Sequence, residues 1–142
     1  MNWKTEAMDR LRQYEGSRSA QKCLTIQVKD MEEDLCSPAP ARPEAKVTQC
    51  VDYEDRRLNK LIFLELCRRR LRQTEAWLAA VDTALSVLTP EEKLTLHRLY
   101  ISPRKGAVEE LCAALGVERT SVYRIRDKAL ETFTLALFGI SQ

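Results

Sequence analysis

Residues 107–133, AVEELCAALGVERTSVYRIRDKALETF, are the part of the sequence on which the fold prediction mainly depends. Apolar residues recur at helical spacing on both sides of Gly116, which predicts two helices joined by a short turn. Glycine suits that turn because it adopts a positive φ at little steric cost. The stripes are Val108, Leu111, Cys112 and Leu115 before the turn, and Val122, Ile125, Ala129 and Phe133 after it. This spacing predicts a helix-turn-helix, whose second helix would lie in a DNA major groove.

The other face of the predicted second helix carries polar and basic side chains. Arginine can form paired hydrogen bonds with guanine, and serine, threonine and tyrosine can contact bases or phosphates. The alternative interpretation is an ordinary solvated face, but the glycine turn and the small Cys112 and Ala113 at the expected crossing favour DNA. The candidate base-reading residues are Arg119, Thr120, Ser121, Tyr123, Arg124 and Lys128, and the candidate contacts to the DNA backbone are Arg104, Lys105 and Arg126.

Composition narrows the class of protein. The 142 residues suit one domain with an extension, and the low content of 4 Gly and 5 Pro predicts an all-α protein. A net charge of +2 does not argue for nucleic acid by itself, because binding needs a basic patch. No apolar run is long enough to span a bilayer and no signal pattern opens the chain, so we expect a cytoplasmic protein without membrane contact.

The chemistry-bearing residues predict no catalytic or metal site. Five cysteines are scattered without a C-x-x-C pair, and the one histidine, His97, has no neighbouring ligand, so we expect free thiols, no metal and no cofactor. His97 is interpreted as a packing or surface residue. No glycine loop for phosphate and no credible nucleophile–histidine–acid spacing is present, so an enzyme is not expected.

The N-terminal part predicts a long, coiled-coil-like helical hairpin over residues 1–87. Residues 2–35 carry two apolar stripes, and Gly16 between them could kink the helix. Residues 36–50, with three prolines, predict an extended connector.

The second long helix has leucine every seven residues, a seam that must pack on the first helix, on a second copy, or on both. The first-helix stripes are Trp3, Ala7, Leu11 and Tyr14, then Leu24, Val28, Met31 and Leu35; the packing or oligomerisation seam is Leu64, Leu71, Leu78 and Leu85. Leu58, Leu61, Ile62 and Phe63 broaden the apolar surface near its start.

Four arginines lie in the middle of the second long helix: Arg68, Arg69, Arg70 and Arg72. They are interpreted as a solvated face paired with acidic neighbours such as Glu65 and Glu75, because charge is expected outside a long helix. A contact with a nucleic-acid backbone is the alternative.

Residues 88–142 predict a second domain of three to four helices. Thr89 as N-cap, Pro90 at the first helical position and Glu92 three residues after the cap predict a helix start. That helix should stop near Ser102 and Pro103. Gly139 is expected to end the last helix of the chain.

From Leu88 to about Leu130 the chain resembles region 4 of bacterial sigma factors. The matching residues are Leu88, Pro90, Glu91, Leu94, Leu99 and Tyr100, then Glu110, Leu111, Leu115, Gly116, Val117, Val122 and Ala129. The whole layout also resembles small phage and prophage proteins, some of which are treated as late transcription regulators. One departure is Glu118, at a position where serine or threonine commonly caps the recognition helix. The part of sigma factors that opens promoter DNA has no counterpart here, so a complete sigma factor is not expected.

The resemblance implies a sequence-specific DNA-binding regulator, with double-stranded DNA as partner and RNA polymerase as a further candidate. A homodimer through the long helices is the expected assembly. One alternative is a DNA-recognition subunit for phage packaging, similar to a small terminase and distinguished by a larger assembly. Another is a protein that binds polymerase or a second regulator.

Overall fold

The computed structural model describes residues 1–36 and 47–140, with side chains described from residue 53 onward in the second range. Within those ranges the chain is helical and contains no β-strand. The elements are α1 (Trp3–Cys36), α2 (Val47–Ser86), α3 (Pro90–Leu96), a π-helical turn (His97–Ile101), α4 (Ala107–Leu115) and α5 (Arg119–Phe138). The predicted all-α class and the long N-terminal helix pair are therefore confirmed.

The chain divides into two compact units. The core unit comprises Met1–Arg18 and Ala76–Gln142, and the hairpin unit comprises Ser19–Glu75. The sequence placed a boundary at residue 87, whereas the core unit takes in the first turns of α1 and the last turns of α2 as well. The boundary differs because side chains from residues 1–18 and from residues 76–142 are buried in the same cluster.

The core unit is built around apolar side chains from α1, α2, α3 and α5. Leu11 of α1, Val81 of α2, Leu96 of α3 and Phe133 of α5 are all completely buried in that cluster. The other buried members are Ala7, Ala84, Leu88, Ile101, Ala129 and Leu130. The stripe predicted at the start of α1 therefore packs within the same core as the C-terminal helices.

The hairpin unit pairs α1 and α2 in antiparallel directions. Val28 of α1 and Leu64 and Cys67 of α2 form its buried cluster, and the half-buried members are Leu24, Met31, Leu35 and Leu71. Two ion pairs join the helices, Asp34 with Lys60 at 2.8 Å and Glu32 with Arg68 at 2.8 Å. The leucine seam is thus occupied by packing within this chain: Leu64 and Leu78 are buried, Leu71 packs in the hairpin unit and Leu85 packs against the core cluster.

Local signals in the sequence mark the helix ends as predicted. Thr89 has an extended backbone, and its side chain accepts a hydrogen bond from the Glu92 N–H at 3.3 Å. The described residues show no reciprocal bond from the Thr89 N–H to the Glu92 side chain, and one carboxylate oxygen of Glu92 is buried without a hydrogen-bond partner among them. Gly116, with φ of 66°, ends α4, and Gly139, with φ of 71°, ends α5. Only glycine adopts this left-handed conformation without strain.

The expected bounds of the connector need correction. The predicted connector 36–50 is too long at both ends, since Cys36 ends α1 and α2 begins at Val47. Val47 lies beyond the last of the three prolines, so nothing in the backbone prevents a helix there. The rest of the connector lies outside the described residues. At Gly16 α1 continues as one helix, so this glycine does not end it.

A polar cluster joins α1 to α2 inside the core unit. The Tyr14 hydroxyl donates to Asp82 at 2.5 Å, and Arg18 donates to the other oxygen of that carboxylate at 2.6 Å. Burial alone would raise the pKa of Asp82, but the hydrogen bonds from Tyr14 and Arg18, with the Arg18 charge, bring that pKa below its usual value. Burial and the bond to Asp82 raise the pKa of Tyr14, so its hydroxyl remains a donor.

We expect Asp82→Asn to destabilise the core unit by about 1 kcal/mol at pH 7, because charge-assisted hydrogen bonds become neutral ones at a partly exposed site. A carboxylate with a lowered pKa contributes stability above its unfolded pKa, and that contribution is lost as pH falls through the folded pKa. The difference between wild type and variant should therefore shrink in acid. Urea denaturation at pH 7 and near pH 3 measures it. Asp9→Asn, which removes an exposed pair with Arg12, is the control and should change little. An equal loss at both pH values would show that the Asp82 charge is not responsible.

Candidate nucleic-acid interface

The first half of α5 presents a polar outer surface. Val122, Ala129 and Phe133 are completely buried, and they fix which side of the helix faces the core. Thr120, Arg124 and Lys128 follow at four-residue spacing on the other side, where all three are exposed. None of the three makes an ion pair or side-chain hydrogen bond with any residue in the described ranges. Their donors are therefore available to a ligand.

The turn between α4 and α5 sets where this surface begins. Gly116, Val117 and Glu118 are the residues between the two helices. The Val117 N–H donates to the carbonyl of Cys112 at 3.2 Å, which closes the end of α4, and Val117 is half-buried. So short a connection allows little change in how α4 and α5 are held together.

A second group of candidate residues gathers around the Tyr123 ring. Arg119 donates to the Tyr123 hydroxyl at 3.5 Å and lies 3.7 Å from Glu109 of α4. The Tyr123 bond, more than the Glu109 charge, raises the pKa of Arg119 above its usual value. Both partners of the Arg119–Glu109 pair are two-thirds exposed, so solvent screens the pair and it adds little to stability. A phosphate could replace Glu109 as the partner of Arg119.

Arg126 is less available than the sequence suggests. Its guanidinium lies 4.9 Å from the centre of the Tyr123 ring and donates to Asp127 at 2.9 Å. It also lies close enough to Tyr100 for its charge to oppose the rise that burial produces in the pKa of that hydroxyl. The structure therefore places Arg126 on the flank of α5, with Arg119 and Tyr123, while Ser121 is half-buried beside the outer surface.

The loop before α4 adds two further basic groups. Arg104 and Lys105 are exposed, and neither forms an ion pair with a residue that the structure describes. The Ala107 N–H donates to the Arg104 carbonyl at 3.3 Å, and Gly106 follows in a left-handed conformation at the start of α4. Arg98 of the π turn pairs with Glu110 of α4 at 3.3 Å. These bonds order the loop backbone and leave both basic side chains free.

Glu118 stands at the N-terminal end of α5. Its backbone is extended, as expected for an N-cap, but its side chain makes no capping hydrogen bond and is exposed. A carboxylate is favourable beside the positive end of the helix dipole. It also repels an anion that approaches the same end.

The acidic partners of these basic residues were not predicted from the sequence. Glu109 and Asp127 were assigned no role, although each neutralises an arginine of the candidate surface. Their spacing on the helices gives only a weak signal, because the Glu109–Arg119 pair depends on how α4 packs against α5. The outer surface itself, with Thr120, Arg124 and Lys128, follows directly from helical periodicity.

Other kinds of site have little support in the part of the chain that the structure describes. No group of three or more His, Cys, Asp or Glu residues there could hold a metal ion. No described helix has the length and apolar character needed to cross a membrane. Cys23, Cys36, Cys67 and Cys112 are free thiols. Comparison with known proteins found no matching family model, no similar curated protein and no similar solved structure.

Proposed function

We propose that this protein is a non-enzymatic, sequence-specific DNA-binding regulator of transcription, of bacterial or phage type. In this proposal α4 and α5 act as a helix-turn-helix, and α5 enters the major groove. The observation that carries it is the outer surface of α5, directly after a short glycine turn, where Thr120, Arg124 and Lys128 are exposed and have no side-chain partner among the described residues.

The side chains of that surface have distinct roles in the proposal. Arg124 reads a guanine by two hydrogen bonds, and Thr120 and Lys128 contact neighbouring bases or phosphates. Arg104 and Lys105 contact the DNA backbone and so set the position of α5 in the groove. Arg119 and Tyr123 join them when a phosphate displaces Glu109. Arg126 remains the weakest member of the set, because Asp127 and the Tyr123 ring already hold it.

The order of elements supports the resemblance to region 4 of sigma factors. A helix starting at Thr89 and Pro90 precedes the pair, ends in a π turn that contains Leu99 and Tyr100, and leads through the Arg104–Lys105 loop into α4. A fold alone does not assign a function, and the proposal therefore rests on the exposed surface of α5. RNA polymerase remains a further candidate partner in this proposal.

The proposal is tested by selecting bound fragments from random DNA and from the source genome, followed by sequencing. A specific regulator should enrich one motif, with tightest binding to that motif in both pools. Titrations at several salt concentrations separate base reading from general attraction, because phosphate contacts alone make affinity fall steeply with salt for every sequence. Enrichment of no motif, with the same affinity for all fragments, would contradict sequence-specific regulation.

Glu118→Ser is expected to raise both thermal stability and DNA affinity. Serine can accept a hydrogen bond from the first turn of α5, which stabilises by about 0.5–2 kcal/mol, less the favourable dipole interaction that Glu118 loses. Glu118→Gln also removes the charge, but glutamine is a poor N-cap, so this variant should raise DNA affinity without raising thermal stability. Thermal unfolding and binding titrations measure the two effects. Glu75→Gln, a neutralisation in the hairpin unit, controls for net charge. Unchanged affinity in both Glu118 variants would show that no phosphate approaches this end of α5.

A further inference from the structure

An exposed apolar stripe runs along α2 in the hairpin unit. Leu58, Ile62 and Leu66 are spaced by four residues and are 56%, 53% and 46% exposed. Leu61 and Phe63, at 42% and 52% exposed, flank them. Apolar residues scattered singly on a surface are common, but five exposed ones lie here within three helical turns, and such a concentration is typical of an interface.

This stripe is distinct from the leucine seam that the sequence singled out. Leu64, Cys67 and Leu71 of that seam are packed against α1. Ile62 precedes Leu64 by two residues, and two residues turn a helix by about 200°. The stripe therefore lies on nearly the opposite side of α2 from the residues that hold the hairpin together. A dimer through the seam itself is not available while α1 occupies it.

Charged residues at the two ends of the stripe have opposite sign. Asp55 lies seven residues before Ile62 and Arg69 lies seven residues after it. Seven residues are almost two full helical turns, so all three share one face of α2. Both charged side chains are exposed, and neither forms an ion pair with any residue of the described ranges. By contrast Lys60 and Arg68, which face α1, are both paired across the hairpin.

This arrangement is complementary to itself when the helix direction is reversed. If two α2 helices pack antiparallel with Ile62 against Ile62, the stripe matches end to end, with Leu58 opposite Leu66. Asp55 of each copy then lies opposite Arg69 of the other, which gives two ion pairs for each dimer. A parallel arrangement would place Asp55 opposite Asp55 and Arg69 opposite Arg69, and both contacts would be repulsive.

We propose that the protein forms a twofold-symmetric dimer in which the Leu58–Ile62–Leu66 stripe packs antiparallel against the same stripe of a second copy. A twofold axis through Ile62 makes the interface isologous, as in most homodimers. The occupant is a second copy because the charges on the stripe complement their own pattern when its direction is reversed. The contact is small, so the dimer should dissociate on dilution. The inference does not depend on DNA binding, and either can fail without the other.

Sedimentation equilibrium of the full chain, from micromolar to millimolar concentrations, tests the dimer. Wild type should pass from 16.3 kDa to twice that mass as the concentration rises. Ile62→Asp should weaken the dimer at least about tenfold, because each copy loses a central apolar contact and gains a charge. Ile26→Asp is the matched control, since Ile26 is 61% exposed on α1, and it should leave the dimer unchanged. A monomer at every concentration would overturn the proposal and would leave the stripe to a different protein.

A charge exchange tests the antiparallel register. Asp55→Arg alone and Arg69→Asp alone should each weaken the dimer about tenfold, because each places like charges opposite one another twice. The double variant restores opposite charges and should return to within about threefold of wild type. Helicity and thermal unfolding of each variant show that the chain still folds. A dimer that neither single exchange weakens, or that the double variant does not restore, would contradict this register.

Discussion

Leu11→Ala is expected to lower the free energy of unfolding of the core unit by about 2–5 kcal/mol, although Leu11 lies far along the sequence from the helices that carry the candidate DNA surface. Leu11 is completely buried in the cluster that also contains Leu96 and Phe133. Truncation to alanine removes its apolar contacts and leaves a cavity that the surrounding helices fill only in part. A loss of this size is a large share of the stability of a typical domain.

Tryptophan fluorescence during urea denaturation measures this effect within the core unit. Both tryptophans belong to that unit, since Trp77 packs against its cluster and Trp3 lies 5.1 Å from the Phe138 ring. Ile26→Ala is the control in the same helix, because the side chain is largely exposed and should change stability by at most about 0.5 kcal/mol. Equal midpoints for wild type and Leu11→Ala would contradict the shared core.

The shared core also predicts the behaviour of a fragment. Residues 88–142, the domain that the sequence delimits, would expose the apolar sides of α3 and α5 that Ala7, Leu11, Val81 and Ala84 cover. We therefore expect this fragment to unfold without a cooperative transition, and the full chain to unfold cooperatively. Cooperative melting of the isolated fragment would show that α1 and α2 are dispensable for the candidate DNA-binding helices.

Arg124→Ala is expected to weaken binding to the selected DNA motif by about 1–3 kcal/mol, or roughly 5- to 150-fold. Arg124 is exposed on the outer surface of α5 and has no partner among the described residues, so its loss leaves the fold intact. If it reads a guanine, the preference at one position of the motif should also disappear. Fluorescence anisotropy with the selected motif, and with each substitution at every position, measures affinity and preference together.

The matched control for this prediction is Arg72→Ala. Arg72 is likewise exposed, and within the described part of the chain it forms no ion pair, but it lies on α2 in the hairpin unit. Its removal lowers the net charge by the same amount, so a general electrostatic effect would weaken binding equally in both variants. Equal affinity of wild type and Arg124→Ala would remove Arg124 from the reading surface.

Features that depend on a few adjacent residues could be predicted from the sequence. Thr89 and Pro90 start α3 and Gly116 ends α4 because capping and left-handed geometry are local properties of those residues. The outer surface of α5 follows from helical periodicity once Val122, Ala129 and Phe133 are assigned to the interior. In these cases the physical cause lies within one or two helical turns of its effect.

Features that depend on a distant partner could not be predicted. The stripe at Ala7 and Leu11 was recognised as apolar, but nothing in it specifies that α5 covers it. The leucine seam of α2 is equally compatible with packing in one chain and packing between two chains, and only the position of α1 decides between them. The availability of Arg119 likewise depends on Glu109 of α4, whose position follows from how α4 packs against α5.

The core unit combines two segments that are far apart in the sequence, and this separation affects the order in which the protein can fold during synthesis. Leu11 leaves the ribosome 122 residues before Phe133, which belongs to the same cluster. The first turns of α1 therefore cannot be fully buried until α5 has been synthesised, whereas Ser19–Glu75 can pair as soon as both of its helical segments have emerged. That early pairing shortens the loop that must close and so lowers its entropic cost. A chain truncated near its C-terminus would leave the apolar side of residues 3–14 exposed, which makes it a substrate for chaperones and proteases.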